Sequence, residues 1–198
     1  MRITKISRFF RQRRLRKIAA LVRAGKVPKN VTEADVFEAL SLKKTHHMEA
    51  YGLLSCRVFD KHGVLKQDLG LVGVREVTAA FVKHLVDGLM TSDVSPSVDH
   101  FHHHAMGDGS TAETDTQTAL VNQIDGVSAG SQTHGATSNI YKTIATIVAS
   151  SAYTAIEHGV FNTTGDLMVD RTLVASPPTV ATSDEVEWTY NLTVNYGG

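Results

Sequence analysis

One cysteine, one tryptophan and four prolines in 198 residues are what this chain has least of, and the cysteine count is the most restrictive. Cys56 alone excludes an intramolecular disulfide and a Cys-based zinc cage, suits assembly in a reducing cytoplasm, and reads as core filler. No apolar run approaches the ~20 residues a membrane span needs, so no membrane partner is expected. The arginines at 11, 13, 14 and 16 interrupt any apolar core of a secretory signal. Catalytic signatures are missing too: no H-E-x-x-H, no zinc-finger spacing, no G-x-S-x-G elbow, and no Gly-Lys-Ser/Thr phosphate loop. These absences leave no catalytic residue and no cofactor to assign, and the expectation is a protein that is not an enzyme.

Charge is present but unevenly placed. The formal net charge is zero, yet residues 1–26 hold ten Lys or Arg and no acid, leaving ten basic against 20 acidic residues in the remainder. A basic arm on an acidic body suggests docking on something negative. The candidate partner-binding residues are Arg2, Lys5, Arg8, Phe9, Phe10, Arg11, Arg13, Arg14, Arg16 and Lys17. An acidic protein lattice is the favoured partner. Nucleic acid is the second choice, because phosphate contacts need no sequence readout but the acidic body would repel the same ligand.

Periodicity divides the chain into an arm, 1–30, and a body, 31–198. The arm carries two apolar helical stripes, Ile3/Ile6/Phe10 and Ile18/Leu21/Val22, separated by Arg11–Arg14. Thr32 and Asp35 form a capping-box start for a helix near 32–43. Residues 49–59 and 64–74 read as a hairpin around Asp60-Lys61-His62-Gly63, and Val77, Phe81, Leu85 and Leu89 as a helix near 76–88. A short strand at 101–105, an interrupted one at 120–132 and better ones at 139–149, 153–161 and 167–175 follow. From Val186 to Tyr196, apolar and polar residues alternate without a break, which predicts a strand with one face in the core and the other in water. The expected fold is mainly β: an antiparallel sandwich, jelly-roll-like or immunoglobulin-like, with a basic N-terminal arm and two short helices.

His100, His102 and His104 would share one strand face, and a ring of such histidines in a symmetric oligomer could hold a metal ion. The bland alternative is loop or interface histidines bonded to backbone, with no metal. Gly107-Asp108-Gly109-Ser110 reads as a turn, and Asp108, Glu113 and Asp115 lack the order of a calcium loop. If 162–166 is a five-residue hairpin loop, paired residue numbers sum to 328. Glu157 then lies opposite Arg171 on a face with Ala155, Phe161, Val169 and Leu173, and His158 lies opposite Asp170 with Ile156 and Val174. Both are read as structural ion pairs that fix register.

The segments LLSCRVFDKHGVL, FHHHAMGDGSTAETDTQTAL, SNIYKTIATI, AIEHGVFNTTGDLMVDRTLVA and VEWTYNLTVNYGG carry a resemblance that covers about residues 50–198. Together they resemble a family of tailed-bacteriophage virion proteins in which a His-Gly-x-Gly-Thr-Gly-type loop, a Thr-Glu-His-Gly-Leu-Phe-type strand, an Asp-Arg pair and a Gly-Gly terminus recur in this order. Met106 and Asp108-Gly109 replace parts of that loop here, and Ile156 stands where Thr is common. The resemblance implies a virion component assembled in the host cytoplasm, most simply a homo-oligomeric capsid cement or decoration protein bound to the major capsid protein or other virion proteins. A tail, neck or fibre-attachment protein is the alternative, and a metal-dependent enzyme using the His100–His104 cluster is the third.

Overall fold

The computed structural model describes residues 3–24, 26, 30–41, 49–82, 85, 101–137, 139–162 and 167–195. Its architecture is mainly β, and every strand pairing found among the described residues is antiparallel.

The alternating C-terminal segment is β11 (Glu185–Asn195), and it occupies the middle of a five-stranded sheet. Its neighbours are β1 (Glu49–Phe59) and β6 (Ile140–Val148), with β2 (Leu65–Glu76) and β5 (Ser131–His134) at the edges. The β1–β2 turn is set by Asp60, whose Oδ1 accepts from the His62 and Val64 amides at 2.8 and 2.9 Å, and by Gly63 at φ +75°. A second sheet runs β4 (Ser128–Ala129), β3 (His103–Gly107), β8 (Glu157–Phe161), β9 (Met168–Leu173). β7 (Tyr153–Thr154) and β10 (Thr179–Val180) form a small ribbon, so the expected strand over 153–161 is two strands.

The main core lies between the sheets: Leu54, Cys56, Trp188 and Tyr190 from one meet Met106, Val160 and Val169 from the other. Trp188 is fully buried and donates its indole N–H towards Met106 Sδ at 3.4 Å. Burial pushes the Cys56 thiol well above its ordinary pKa, as suits core filler.

The basic segment is not a free arm. It forms α1 (Ile3–Arg23), one helix rather than two pieces, and its second half belongs to the body. Leu15, Ile18, Ala19 and Val22 recur at helical spacing and pack with Val36, Ala39 and Leu40 of α2 (Glu33–Ser41) onto Tyr51, Leu53 and Val74. Arginine is a good helix former and its stem tolerates an exposed flank, so Arg11–Arg14 do not interrupt the helix. α2 starts on a reciprocal cap, with the Asp35 amide donating to Thr32 Oγ1 at 3.2 Å and the Thr32 amide to Asp35 Oδ2 at 3.1 Å. The pair of helices covers part of the outer face of the large sheet. Consequently Asn191 and Thr193 are buried, and the polar face of β11 is not wholly in water as expected. Of the helix expected near 76–88, a helical stretch over 79–82 and Leu85 falls within the described residues.

Candidate functional site

Polar residues that the sequence scatters meet in three interior clusters on the smaller sheet. The first is built on Glu157. Its carboxylate accepts from Arg171 Nε at 2.6 Å and from three amides: Val121 at 3.0 Å, Asn122 at 2.7 Å and Gly109 at 3.2 Å. Arg171 Nη1 in turn donates to Thr111 O and Gln117 Oε1 at 3.0 and 3.1 Å. The pair pins the loop segments around 109–122 over the outer face of β8 and β9, next to Ala105, Phe161, Met168 and Leu120. Close approach explains the glycines. A Cβ on Gly107 would collide with the Asn122 carbonyl oxygen, and one on Gly109 with the Glu157 carboxylate.

The ion pair was legible, but its register was not. Glu157 pairs with Leu173 and Gly159 with Arg171, so the numbers sum to 330, and Phe161 meets Met168 across a β-bulge. The bulge leaves Val169 as the extra residue and turns it into the main core, away from Glu157. Ala155 joins the same core. A shift of two preserves side-chain parity, so Glu157 and Arg171 still share a face and meet diagonally.

The second cluster corrects both the histidine and the His158–Asp170 expectations. His158 does not pair with Asp170; its Nε2 lies 2.9 Å from His104 Nδ1, and His104 Nε2 lies 3.2 Å from Thr143 Oγ1. His158 also stacks on Trp188, with ring centroids 4.7 Å apart. Burial holds His104 down at about 3 and His158 well below its ordinary value, so both rings are neutral in the core. His104 is therefore neither a loop nor an interface histidine. His102 and His103 are half-buried with ring centroids 4.4 Å apart, and His100 lies outside the described residues. Among the described residues no three His, Cys, Asp or Glu side chains stand together to hold a metal.

The third cluster, Asp170 with Tyr190 and Thr172, had no sequence signal beyond strand parity. Thr172 Oγ1 donates to Asp170 Oδ1 at 3.3 Å, and the Tyr190 hydroxyl lies against the same carboxyl. Asp170 and Tyr190 fill the space that Gly52 leaves by having no side chain. Burial, reinforced by the charge of Glu113, pushes Asp170 up to about 7, against the pull of Tyr190, Thr172 and Arg75.

The open surfaces are a cleft and a helix face. A cleft of about 310 Å³ lies where Val22 and Arg23 meet Arg75, Glu113, Asp115 and Arg171. Its charges are largely spoken for, since Arg75 pairs with Glu113, and Arg171 with Glu157. An apolar cavity of about 220 Å³ lined by Phe81, Phe101, Tyr141 and Leu192 opens off the main core.

On α1, Arg11 and Arg14 are engaged by Glu38 and Asp35 of α2 at 2.7 and 3.7 Å. Arg13, Arg16 and Lys17 are exposed and take no part in the ion pairs found among the described residues. Lys5, Arg8, Phe9 and Phe10 lie on the first turns of the helix, and Arg2 lies outside the described residues. Among the described residues, no helix is long and apolar enough to cross a membrane. No family model, curated protein or solved structure matches this chain.

Proposed function

We propose that this chain is a structural component of a tailed-phage virion, a cement or decoration protein that docks on the major capsid shell through the basic face of α1. The observation that carries the reading is where the fragments of the resemblance lie. Gly107 and Gly109 of the glycine loop, Glu157 and His158 of the Glu-His-Gly strand, and Asp170 and Arg171 of the Asp-Arg pair all belong to the interior clusters. Residues spent on fixing loops, register and core packing serve a scaffold, and a scaffold suits a protein used many times in one lattice. The surface that this reading assigns to the partner is electrostatic, with Arg13, Arg16 and Lys17 exposed on α1 and outside the ion pairs found among the described residues.

In this reading the protein is a homo-oligomer, has no catalytic role and resides in the particle after assembly in the host cytoplasm. Removing residues 1–26 is a poor test of docking, because Leu15, Ile18 and Val22 are core residues and their loss would uncover Val36, Leu53 and Val74. The better variant is Arg13→Glu/Arg16→Glu/Lys17→Glu, which leaves the packed stripe intact. Added to particles grown without the protein, the wild type should bind in a salt-sensitive manner and the triple variant should fail to bind. Equal loading of both would refute docking through this face. A tail or neck location is the other outcome, marked by a dozen copies or fewer per particle.

A further inference from the structure

We infer that the apolar cavity at one end of the main core is a binding site for a small uncharged aromatic molecule of one ring or two fused rings. The site is independent of the docking reading above and uses none of its residues.

The cavity follows from side-chain size along two paired strands. On β1 the residues that face the second sheet run Cys56, Leu54, Gly52, Ala50, and on β11 they run Trp188, Tyr190, Leu192, Val194. Cys56 meets Trp188 and Leu54 meets Tyr190, but Gly52 meets Leu192 and Ala50 meets Val194. At the large end Trp188 reaches across to Met106 and the sheets are filled. Towards Ala50 the inward side chains of β1 shrink. Asp170 and Tyr190 take the room that Gly52 leaves, while about 220 Å³ remains between Ala50 and Leu192 on one sheet and Val160 and Val169 on the other. Protein interiors carry few voids larger than a water molecule, because lining atoms without a neighbour forfeit dispersion contacts. A guest restores those contacts.

The lining selects the guest. Four aromatic rings border the cavity: Phe81, Phe101, Tyr141 and Tyr190. Phe81 and Phe101 already stand edge to face with centroids 5.3 Å apart, the arrangement that a further ring can extend. The two hydroxyls of the lining are engaged elsewhere. Tyr141 donates to Phe101 O at 2.8 Å and accepts from Gln132 Nε2 at 2.5 Å, and Tyr190 is directed at the Asp170 carboxyl. Water needs two to four polar partners to settle in a cavity, and the polar side chains of this lining have already found theirs. A dry apolar cavity of about 150 Å³ is enough for benzene. A guest with a hydroxyl or a charge would bury that group without a partner, so the site selects against it.

The test uses the full chain, with toluene as the probe and phenol as its polar counterpart. By isothermal titration calorimetry toluene should bind at one site with a dissociation constant of about 1 mM or tighter, and phenol at least tenfold more weakly. In methyl-resolved NMR spectra toluene should shift Val160, Val169 and Leu192, and leave Val58, beyond Trp188 in the same core, and Val36 of α2 unmoved. Ala50→Leu and Leu192→Phe, which fill the cavity from different strands, should each cut toluene affinity at least tenfold. The NMR map needs no variant, so it decides the matter if a filled variant fails to fold. No toluene binding by the wild type, phenol binding as tight as toluene, methyl shifts centred away from the cavity, or undiminished binding by a folded filled variant would overturn the inference.

Discussion

Arg171 donates Nε–H to Glu157 at 2.6 Å with both side chains almost completely buried, 1% and 0% exposed. A pair so placed contributes little if exchanged whole for apolar groups, but breaking it strands a charge. Glu157→Gln or Arg171→Met alone should therefore lower stability by about 3–5 kcal/mol in urea unfolding. Glu157→Gln/Arg171→Met together should lose much less than the sum of the single variants, giving strong coupling in a double-mutant cycle. Additive losses would show that the two side chains act separately.

Acid should destabilise the protein through His104 and His158. Both rings are neutral in the fold because burial lowers their pKa values, while an unfolded histidine takes up a proton below about 6.5. Stability contributed by the neutral rings is present above that value and is lost as pH falls towards about 3, where His104 titrates. The slope is about 1.4 kcal/mol per pH unit for each proton taken up. A His104→Gln variant should show a shallower fall in the urea midpoint between pH 6.5 and 4 than the wild type.

Asp170 should act with the opposite sign. Its folded pKa is raised to about 7, so the carboxyl holds a proton that the unfolded chain has already released above about 4. Its contribution falls as pH rises from about 4 to 7, and above 7 the fold carries a buried, ionised carboxylate. Asp170→Asn keeps the shape and the acceptor beside Tyr190 while removing that charge. It should raise the urea midpoint at pH 8 and leave it nearly unchanged at pH 4; no gain at pH 8 would show that Asp170 is neutralised by other means.

Glycines should sort by the space around them. Gly107→Ala drives a methyl into the Asn122 backbone carbonyl, which cannot give way as a flexible side chain could, so a loss of about 1–3 kcal/mol is expected. Gly126→Ala meets nothing within 4 Å and its backbone is not left-handed, so it should be neutral or stabilising by up to about 1 kcal/mol. Thermal midpoints of the two variants give the comparison directly, and equal effects would contradict the close packing at Gly107.

Elements with strong local signals were legible in the sequence. The alternation of β11, the Asp60–Gly63 turn and the Thr32/Asp35 cap each depend on neighbours a few residues away, and each stands where it was expected. The Glu157–Arg171 pair survived a wrong register because the error was two residues and side-chain parity has a period of two. The bulge at Val169 gave no signal, since its cause is tertiary: Phe161 and Met168 pack on the outer face while Val169 joins the main core. His104 was misplaced for a related reason. Strand parity puts it on the same side as Met106, and only the facing five-stranded sheet, supplying Thr143 and Trp188, makes that side the interior. Likewise the basic composition of α1 hid Leu15 and Ala19, which join Ile18 and Val22 of the expected stripe in the packing that makes this helix half part of the body.

The central claim is a structural, repeated role in a virion, and copy number tests it most directly. Quantitative mass spectrometry of purified particles should find this chain at hundreds of copies, in a fixed small-integer ratio to the major capsid protein. Its absence from purified particles, or a count of a dozen or fewer, would contradict the proposed place on the shell.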